Sequence, residues 1–312
     1  MKILITGGAG FIGSPLTKFH LSKNDQVVII DNFVTGNKKN LQTEANNKNL
    51  TIIEADIINY NFSTLPAFDI VYDLASPASP KDFGNLSLEI LKTNSLGSIN
   101  ILDFFIKSNS KTIVFSSTSE VYGDPQEHPQ KESYFGHVNP VGPRSCYDEG
   151  KRFAEALMMA YFRKYKKDVR IARIFNTYGP FMKKDDGRVI SNFINQALVN
   201  RPMTIYGQGK QTRSFCYVSD MVMGLYLLAI TPKLDGEIIN IGNQNEKTIL
   251  EIAGIIKKLT RSQSEIVFKT IGQDDPKRRC PDIVKAKKLL NWQPKVNLEE
   301  GLKQTIKYFK NL

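Results

Sequence analysis

The sequence predicts an α/β fold: a doubly wound parallel sheet with a smaller C-terminal domain interleaved into it. Short apolar runs rich in Ile and Val alternate with amphipathic stretches through the N-terminal half. This alternation is expected of strands whose two faces are both covered by helices. A glycine-rich turn follows the first run directly, which is typical of the same fold. The length of 312 residues suits about two domains.

The N-terminal half supplies most of the predicted sheet. Its strands are the apolar runs at residues 2–6, 26–31, 51–55, 70–74, 112–116 and 169–174. Helical periodicity predicts helices at residues 11–21, 90–108 and 147–164. Because strands and helices alternate, successive strands are expected to pair in parallel through helical crossovers.

The alternation breaks after Phe175. Residues 176–213 are rich in turn signals and are interpreted as mostly loop. A helix at 219–230 and a strand at 237–241 are predicted to return to the sheet. The remaining predictions are a helix at 248–259, a strand at 265–270, a polar loop at 272–281 and a final helix at 298–312. These elements predict two interleaved domains, one of residues 1–175 with about 214–242, the other of 176–213 with 243–312.

The composition excludes several classes of protein. Lys and Arg number 42 against 31 Asp and Glu, a net charge of +11, but the basic pairs are scattered along the chain. Scattered charge favours a solvated surface over a nucleic-acid footprint. No apolar run approaches the length of a membrane span, and the first residues resemble a strand and turn, not a signal peptide. The three cysteines lack a Cys-x-x-Cys spacing, so reduced thiols and a cytoplasmic location are expected.

The glycine-rich turn predicts a dinucleotide site. Gly7, Gly10 and Gly13 are spaced by three residues between the first strand and the first helix. Such a turn lets the backbone approach a pyrophosphate, and the helix N-terminus supplies free N–H groups. Asp31 ends the second strand, where a carboxylate accepts from a ribose 2′-hydroxyl and repels a 2′-phosphate. The cofactor is therefore predicted to be NAD. Asp56, at the end of the third strand, is either an adenine contact or a turn residue.

A second motif points to proton transfer. Tyr147 and Lys151 are four residues apart in a predicted helix, so both lie on one face. A nearby ammonium is expected to lower the tyrosine pKa from its usual value of about 10, which would let Tyr147 act as a base. Thr118 and Glu120 follow the fifth strand, and the carboxyl ends of such strands line the ligand crevice. The three histidines show no metal-ligand spacing, so no metal is expected.

The order of these motifs matches the extended short-chain dehydrogenase/reductase superfamily. Within it, the sequence closely resembles the UDP-glucuronate decarboxylase (UDP-xylose synthase) family. The resemblance is carried by residues 74–80, 116–123, 137–140, 142–152, 172–180, 186–189, 211–213 and 274–276, and it extends over nearly the whole chain. It implies a doubly wound (Rossmann) domain with a substrate domain, a bound NAD, a UDP-sugar substrate and a homodimer paired through helices that include the Tyr147 helix.

The resemblance also implies a reaction. UDP-glucuronate would be oxidised at C4, which places the C5 carboxylate β to a ketone. A β-keto acid loses CO2 readily because the carbonyl accepts the electron pair. Re-reduction would give UDP-xylose and restore the cofactor.

Roles for individual residues follow from the resemblance. Tyr147 is similar to the family's base and Lys151 to its partner, Thr118 would orient the C4 hydroxyl, and Ser119 and Glu120 would face the carboxylate end of the sugar. The substrate contacts implied are Lys92, Asn176, Arg188, Tyr206, Gln211, Arg213 (near the diphosphate and hexuronate) and Arg279. The cofactor contacts implied, besides the three glycines, Asp31, Tyr147 and Lys151, are Phe11, Ile12, Asn32, Phe33, Thr35, Gly36, Asp56, Ile57, Leu74, Ser76, Thr93, Thr177 and Arg188.

The sequence departs from the family pattern at two positions and leaves alternatives open. Pro15 and Asp73 each stand where the family has histidine. A nucleotide-sugar 4,6-dehydratase is a rival, although such enzymes carry Asp-Glu where this chain has Ser119-Glu120. A decarboxylase that releases the 4-keto pentose is another. A non-catalytic NAD-binding regulator would not need the Tyr147, Lys151 and Glu120 set.

Overall fold

The computed structural model describes residues 1–270, 274 and 276–312. Its strands, in chain order, are β1 (Lys2–Thr6), β2 (Gln26–Asp31), β3 (Leu50–Glu54), β4 (Ile70–Asp73), β5 (Thr112–Thr118), β6 (Asp168–Ile174), β7 (Thr177–Tyr178), β8 (Met203–Tyr206), β9 (Thr212–Ser214), β10 (Cys216–Tyr217), β11 (Ile238–Ile241), β12 (Glu246–Thr248), β13 (Ile266–Lys269) and β14 (Arg278–Arg279).

The α-helices are α1 (Gly13–Ser22), α2 (Asp82–Asn85), α3 (Ser87–Lys92), α4 (Ser98–Lys107), α5 (Ser145–Tyr165), α6 (Val189–Leu198), α7 (Val218–Ile230), α8 (Ile249–Thr260), α9 (Val284–Leu290) and α10 (Leu298–Lys310). Short 3-10 helices cover Lys38–Glu44, Phe62–Thr64 and Ser119–Tyr122. A π-helical turn, Thr93–Gly97, joins α3 to α4, so the predicted helix at 90–108 is three consecutive helical segments.

A seven-stranded sheet forms the centre of the molecule. Its order is β11-β6-β5-β4-β1-β2-β3, and every pair of neighbours is parallel. The predicted doubly wound sheet is confirmed, including the return of β11 to its edge. The strand order reverses beside β1, and in such sheets ligands bind at this point, beyond the carboxyl ends of the strands.

Each face of the sheet is covered by helices because alternate side chains of each buried strand point to opposite faces. On one face Ile3, Ile5 and Tyr72 pack with apolar residues of α1 and α7. On the other face Leu4 and Phe115 pack with residues of α4 and α5. The strands therefore read as continuous apolar runs.

A third apolar cluster lies outside the sheet and corrects the loop interpretation of 176–213. Ile190, Phe193, Ile194 and Ala197 of α6 are buried against α8 and α10. Their spacing of three and four residues is that of a helix. The turn signals on either side of this stretch obscured it. In the predicted polar loop, Arg278 and Arg279 form β14 and pair with β9, while the loop's beginning lies outside the described residues.

No helix in the described part of the chain is long and apolar enough to cross a membrane.

Candidate active site

A cleft of about 1210 Å³ opens at the carboxyl ends of the sheet strands. It is lined by every site residue predicted above except Phe33 and Lys92. Lys92 is exposed at the end of α3. Phe33 lies with its ring 4.8 Å from the Lys38 ammonium. The cleft brings together residues from both halves of the sequence.

The glycine turn forms the floor of the cleft. Gly7 has φ +68, a left-handed conformation that favours glycine, and its carbonyl accepts from Gly10 N at 3.1 Å. A Cβ at Gly13 would collide with that same carbonyl. Since α1 begins at Gly13, its free N–H groups point at the space above the turn. This arrangement fits a diphosphate.

Asp31 is fixed at the end of β2. Its Oδ2 accepts from Ala9 N at 2.9 Å, and its Oδ1 accepts from Phe33 N at 2.8 Å. Burial raises the pKa of this carboxyl, although both backbone donors oppose that rise. The carboxylate is thus held beside the glycine turn, where a ribose would lie. Asn32 donates to Asp56 Oδ2 at 3.0 Å, so Asp56 borders the same part of the cleft.

Tyr147 and Lys151 lie together at the end of β5. The Lys151 ammonium donates to Ser116 O at 2.8 Å and stands 6.0 Å from the centroid of the Tyr147 ring. The Tyr147 side chain hydrogen-bonds to Thr118. The ring of Phe83 stacks on that of Tyr147 at 5.2 Å. The predicted spacing therefore does place the two side chains on one face, with Thr118 opposite.

The ionisation of this pair differs from the sequence-based expectation. Burial is the largest influence on Tyr147 and raises the pKa of its phenol above the usual range, and the Thr118 hydrogen bond only partly offsets it. Lys151 is not among the main influences on the phenol, and its ammonium donates to Ser116 O. Burial also lowers the pKa of Lys151 to about 8, against the attraction of Asp73 and Glu155.

Glu120 lies between two guanidinium groups. Arg144 Nη2 donates to its Oε2 at 2.7 Å, and Arg279 pairs with its Oε1. Arg279 also donates to Ser119 Oγ at 3.2 Å and to Gly123 O at 2.7 Å. Although burial acts in the opposite direction, Arg279 and Arg144 lower the pKa of Glu120 to about 2. The structure therefore places Arg279 against Glu120 and Ser119 in the cleft wall.

The opposite wall of the cleft carries the other predicted substrate contacts. Arg188 binds Asp186, Nη2 to Oδ2 at 2.6 Å, and its guanidinium is 5.3 Å from the ring of Phe11. Gln211 donates to Tyr206 O at 2.7 Å, and Arg213 donates to Thr212 O at 2.9 Å. Asn176 and Thr177 follow β6 at the same edge. Asp275 of the predicted 274–276 motif lies outside the described residues.

Two loops meet over the mouth of the cleft. The Ser79 hydroxyl donates to Asp186 O, and the Lys81 ammonium pairs with Asp185 Oδ2 at 2.5 Å. The first loop follows β4 and the second precedes α6, so the contact joins the two walls. In the described part of the chain, no group of three or more His, Cys, Asp or Glu side chains could hold a metal ion.

Known proteins are similar to this chain in sequence and in architecture. A model of the GDP-mannose 4,6 dehydratase family matches residues 4–305. UDP-glucuronic acid decarboxylase 1 of Xenopus tropicalis is 48% identical over 309 residues, which cover 99% of this chain and 72% of the relative. The chain belongs to the UDP-glucuronic acid decarboxylase family. UDP-glucuronic acid decarboxylase 6 of Arabidopsis thaliana, another member, is 49% identical over 97% of this chain and 87% of its own.

Solved structures place the family in a wider group of nucleotide-sugar enzymes. The UDP-glucuronic acid 4-epimerase of Bacillus cereus, in complex with UDP-glucuronic acid and NAD, has a TM-score of 0.91 and 31% identity to this chain. The match covers 100% of this chain and 99% of the epimerase. This UDP-glucuronic acid decarboxylase family member therefore has the fold of the epimerases.

Arg144 is a site residue of this family member that the sequence analysis did not single out. It precedes α5 by one residue and lines the cleft. The signal was present, since Arg144 lies within the 142–152 motif on which the resemblance rests. The sequence alone does not show that Arg144 pairs with Glu120, because the two residues meet only in the folded structure.

Proposed function

We propose that this chain converts UDP-glucuronate to UDP-xylose and CO2, using a tightly bound NAD. The carrying observation is the corner at the end of β5, where Tyr147, Thr118 and Lys151 adjoin the Ser119, Glu120 and Arg279 group. A phenol, a hydroxyl and an ammonium suit oxidation of a sugar hydroxyl. Relatives that are named UDP-glucuronic acid decarboxylase match 97% to 99% of this chain.

The floor of the cleft is the proposed NAD site. The glycine turn would hold the diphosphate and Asp31 the adenosine ribose, while Lys151 and Tyr147 would flank the nicotinamide end. When bound, NAD accepts hydride from the sugar C4 and later returns it. Lys81 and Asp185, which pair with each other, line the same cleft.

Proton transfer falls to Tyr147. Thr118 orients the C4 hydroxyl, and Tyr147 takes its proton as the ketone forms. Burial keeps the phenol protonated in the resting site, so the charged groups near it decide when a phenolate forms. Arg188 lowers the pKa of the phenol and thereby stabilises the phenolate. The Lys151 ammonium stands 6.0 Å from the centroid of the ring.

Decarboxylation follows from the position of the ketone. The C5–carboxylate bond breaks, CO2 leaves, and the electron pair passes to the C4 oxygen as an enolate. Protonated Tyr147 and charged Lys151 stabilise that oxygen. Protonation at C5 and reduction at C4 then complete the turnover.

The two halves of the cleft divide the work in this proposal. Residues 1–175 with about 214–242 form the NAD-binding domain, and residues 176–213 with 243–312 form the substrate domain. The substrate wall, with Asn176, Tyr206, Gln211 and Arg213, faces the glycine turn across the cleft. A UDP-sugar bound there would place its sugar at the Tyr147 corner.

The ionisation of Glu120 disfavours the dehydratase alternative. Elimination of water needs a carboxylic acid to protonate the leaving hydroxyl, with a second group to remove the C5 proton. Glu120 is held ionised by two guanidinium groups, and its neighbour Ser119 is a hydroxyl. The corner therefore lacks the protonated acid that elimination needs.

Product analysis tests the proposal. Purified protein is incubated with UDP-glucuronate and an equimolar amount of NAD, and the products are identified by NMR and mass spectrometry. We expect UDP-xylose and CO2 with no net NADH. UDP-4-keto-pentose as the sole product, with stoichiometric NADH, would instead identify the keto-pentose-releasing enzyme.

Tyr147→Phe tests the assignment of the base. Removal of the hydroxyl should lower kcat by about 100-fold or more, while the circular dichroism spectrum and NAD content stay unchanged. Full activity of the variant would exclude Tyr147 as the base. Thr118→Ser, which keeps the hydroxyl, serves as the mild control.

A homodimer and a cytoplasmic location are part of the same proposal. Four large apolar side chains on the outer side of α3, the π-helical turn and α5 are 40–63% exposed: Leu88, Leu91, Leu96 and Phe153. These segments pack against one another, and a second copy covering them would remove an apolar patch from water. The three cysteines are free and buried, which suits a reducing compartment.

A further inference from the structure

A second carboxylate, Asp148, lies behind the Glu120 corner. It follows Tyr147 on α5, is 6% exposed, and does not line the cleft. Its Oδ1 has no hydrogen-bond partner among the described residues, and neither has Nε of the neighbouring Arg279. One buried acceptor and one buried donor of this cluster therefore lack hydrogen bonds. Such atoms destabilise the fold unless a ligand or a bound proton supplies a partner.

The charged groups around Asp148 come from three elements. Glu120 lies on the 3-10 helix Ser119–Tyr122, Arg279 on β14, and Arg144 and Glu149 on or beside α5 itself. Arg152, one turn further along α5, donates to the carbonyl oxygens of Val121 and Phe135 instead. Among the residues that the structure describes, Glu120, Arg144 and Arg279 of this cluster line the cleft, and Asp148 lies behind them.

We propose that Asp148 is a positioning residue that sets the net charge of the Glu120, Arg144 and Arg279 cluster and thereby favours a sugar that carries a carboxylate. The inference rests on the proposed function, which places the carboxylate end of UDP-glucuronate at this corner. Protonation of Asp148 makes the surroundings of the cluster more positive by one unit charge, and ionisation of Asp148 removes that charge.

The protonated form is accessible near neutral pH. Burial, followed by the charge of Glu120, raises the pKa of Asp148 to about 7, although Arg144 and Arg279 oppose the rise. Below that pH the cluster attracts the substrate carboxylate, and above it the attraction weakens. By linkage, an anionic sugar stabilises the protonated form, so binding near neutral pH transfers a proton from solvent to Asp148.

Calorimetric binding to the NADH-loaded protein tests this inference, because the reduced cofactor cannot accept hydride and the bound sugar is therefore not turned over. UDP-glucuronate and UDP-glucose are titrated at about pH 6 and about pH 8, and each titration is repeated in buffers of different ionisation enthalpy. UDP-glucose is the matched ligand because it carries a neutral hydroxymethyl group where UDP-glucuronate carries the carboxylate. In the wild type, affinity for UDP-glucuronate should fall roughly tenfold across this range, the effect of one unit charge in a partly buried site. Affinity for UDP-glucose should stay nearly constant.

Two variants separate Asp148 from its surroundings. Asp148→Asn keeps the shape of the side chain and removes its proton, so the pH dependence and the proton uptake should both disappear. Glu149→Gln removes the adjacent partly exposed carboxylate, which only adds to the rise of the Asp148 pKa, so this variant should keep the pH dependence and the proton uptake at a slightly lower pH. Retained affinity of Asp148→Asn for UDP-glucose shows that its site is folded.

The outcomes distinguish the two proposals. Proton uptake by the wild type that is equal for both ligands overturns the role of Asp148, whatever the variants do. An unchanged pH dependence in Asp148→Asn overturns it as well. If neither UDP-sugar binds to the wild type, the proposed function fails and this inference fails with it.

Discussion

The carboxylate of Asp73 lies on the same face of the sheet as the Lys151 ammonium. Thr6 Oγ1 donates to Asp73 Oδ1 at 2.7 Å, and Asp73 pairs in register with Phe115 of the next strand. The Lys151 Nζ is 4.6 Å from the centroid of that Phe115 ring. Asp73, one of the two departures from the family pattern, therefore helps to keep Lys151 charged.

Asp73→Asn should shift the pH profile of turnover. Loss of the carboxylate removes an attraction that raises the pKa of Lys151, so the ammonium should lose its proton below its present value of about 8. The alkaline limb of kcat should move down by roughly half to one pH unit. The measurement is kcat against pH for both proteins. Lys151→Arg, whose charge does not titrate in this range, should lack that limb.

An unchanged alkaline limb in Asp73→Asn would show that this carboxylate does not act on Lys151.

For individual residues, the sequence predicts the position of a side chain more reliably than its ionisation. The spacing of Tyr147 and Lys151 predicted a shared helix face, because helical geometry is local. The pKa of Tyr147 was misjudged because desolvation depends on what the rest of the fold packs around the ring. The pairing of Arg144 with Glu120 could not be predicted either, because it also depends on how distant segments pack together.

Helix α5 is tied to the sheet by a buried polar network. Glu155 accepts from Arg173 Nε at 2.9 Å and Nη2 at 2.8 Å, and from Ser117 Oγ at 2.5 Å. Arg173 also donates to the hydroxyl of Tyr122 at 3.0 Å. Glu155 is one turn beyond Lys151, so the network fixes the helix that carries both Tyr147 and Lys151.

Glu155→Gln should destabilise the protein more than an exposed change on the same helix. The variant leaves the Arg173 charge buried without its counter-ion, at a cost of about 3 kcal/mol. Urea denaturation followed by circular dichroism gives the free energy of unfolding. Glu149→Gln, which breaks only a 3.5 Å surface pair, should change it by less than about 0.5 kcal/mol. Equal effects of the two changes would contradict the role given to the network.

Gly36, in the segment after β2, packs closely against the carboxylate of Asp31. A Cβ at Gly36 would stand 2.7 and 2.8 Å from the two carboxylate oxygens of Asp31, so any larger residue must displace that side chain. Gly84 of α2, by contrast, has open space around it. The two glycines provide a matched pair for testing the proposed ribose contact.

Gly36→Ala should weaken NAD binding by about tenfold and leave the thermal midpoint close to that of the wild type. Gly84→Ala should leave both unchanged. The measurements are the dissociation constant of NAD by calorimetry and thermal melting by circular dichroism. Normal NAD affinity of Gly36→Ala would argue against a role for Asp31 in holding the ribose.

Helices and strands are predicted well where the signal lies within the element itself. They are predicted poorly where neighbouring turns mask that signal or where the element depends on pairing with a distant strand. The first two strands were predicted with their observed bounds, because uninterrupted apolar runs end at clear turn signals. Helix α6 was missed although its apolar spacing is regular, since the glycine and proline turns around it dominated the reading of 176–213. Strand β14 has two residues, too few for any pattern, and its place depends on pairing with β9.

Across the whole molecule, the basic charge and the exposed apolar surface are distributed differently. The net charge of +11 is largely dispersed, and in the cleft Lys151, Arg188 and Arg279 each have a hydrogen-bond partner in the fold. The exposed apolar side chains of α3, the π-helical turn and α5 are instead concentrated on one side. That side, and not the basic surface, is where a second copy is proposed to bind.

Leu91→Asp should convert a dimer into a monomer. Leu91 is 40% exposed on α3, and a carboxylate there would be buried without a partner in the proposed interface. Size-exclusion chromatography with light scattering gives the mass. Leu250→Asp, on α8 with a similar exposure of 44%, is the control and should remain dimeric. A monomeric wild type would refute the proposed pairing.

The pairing of Arg279 with the β5 corner has a consequence for synthesis on the ribosome. Arg279 and Ser119 touch although 160 residues separate them. Translation proceeds from the N-terminus, so the glycine turn, Glu120 and Arg144 all emerge long before β14. The glycine turn can form early, while the corner proposed to bind the sugar gains its second guanidinium only when almost the whole chain has been translated. A nascent or prematurely terminated chain therefore lacks the complete Glu120, Arg144 and Arg279 group.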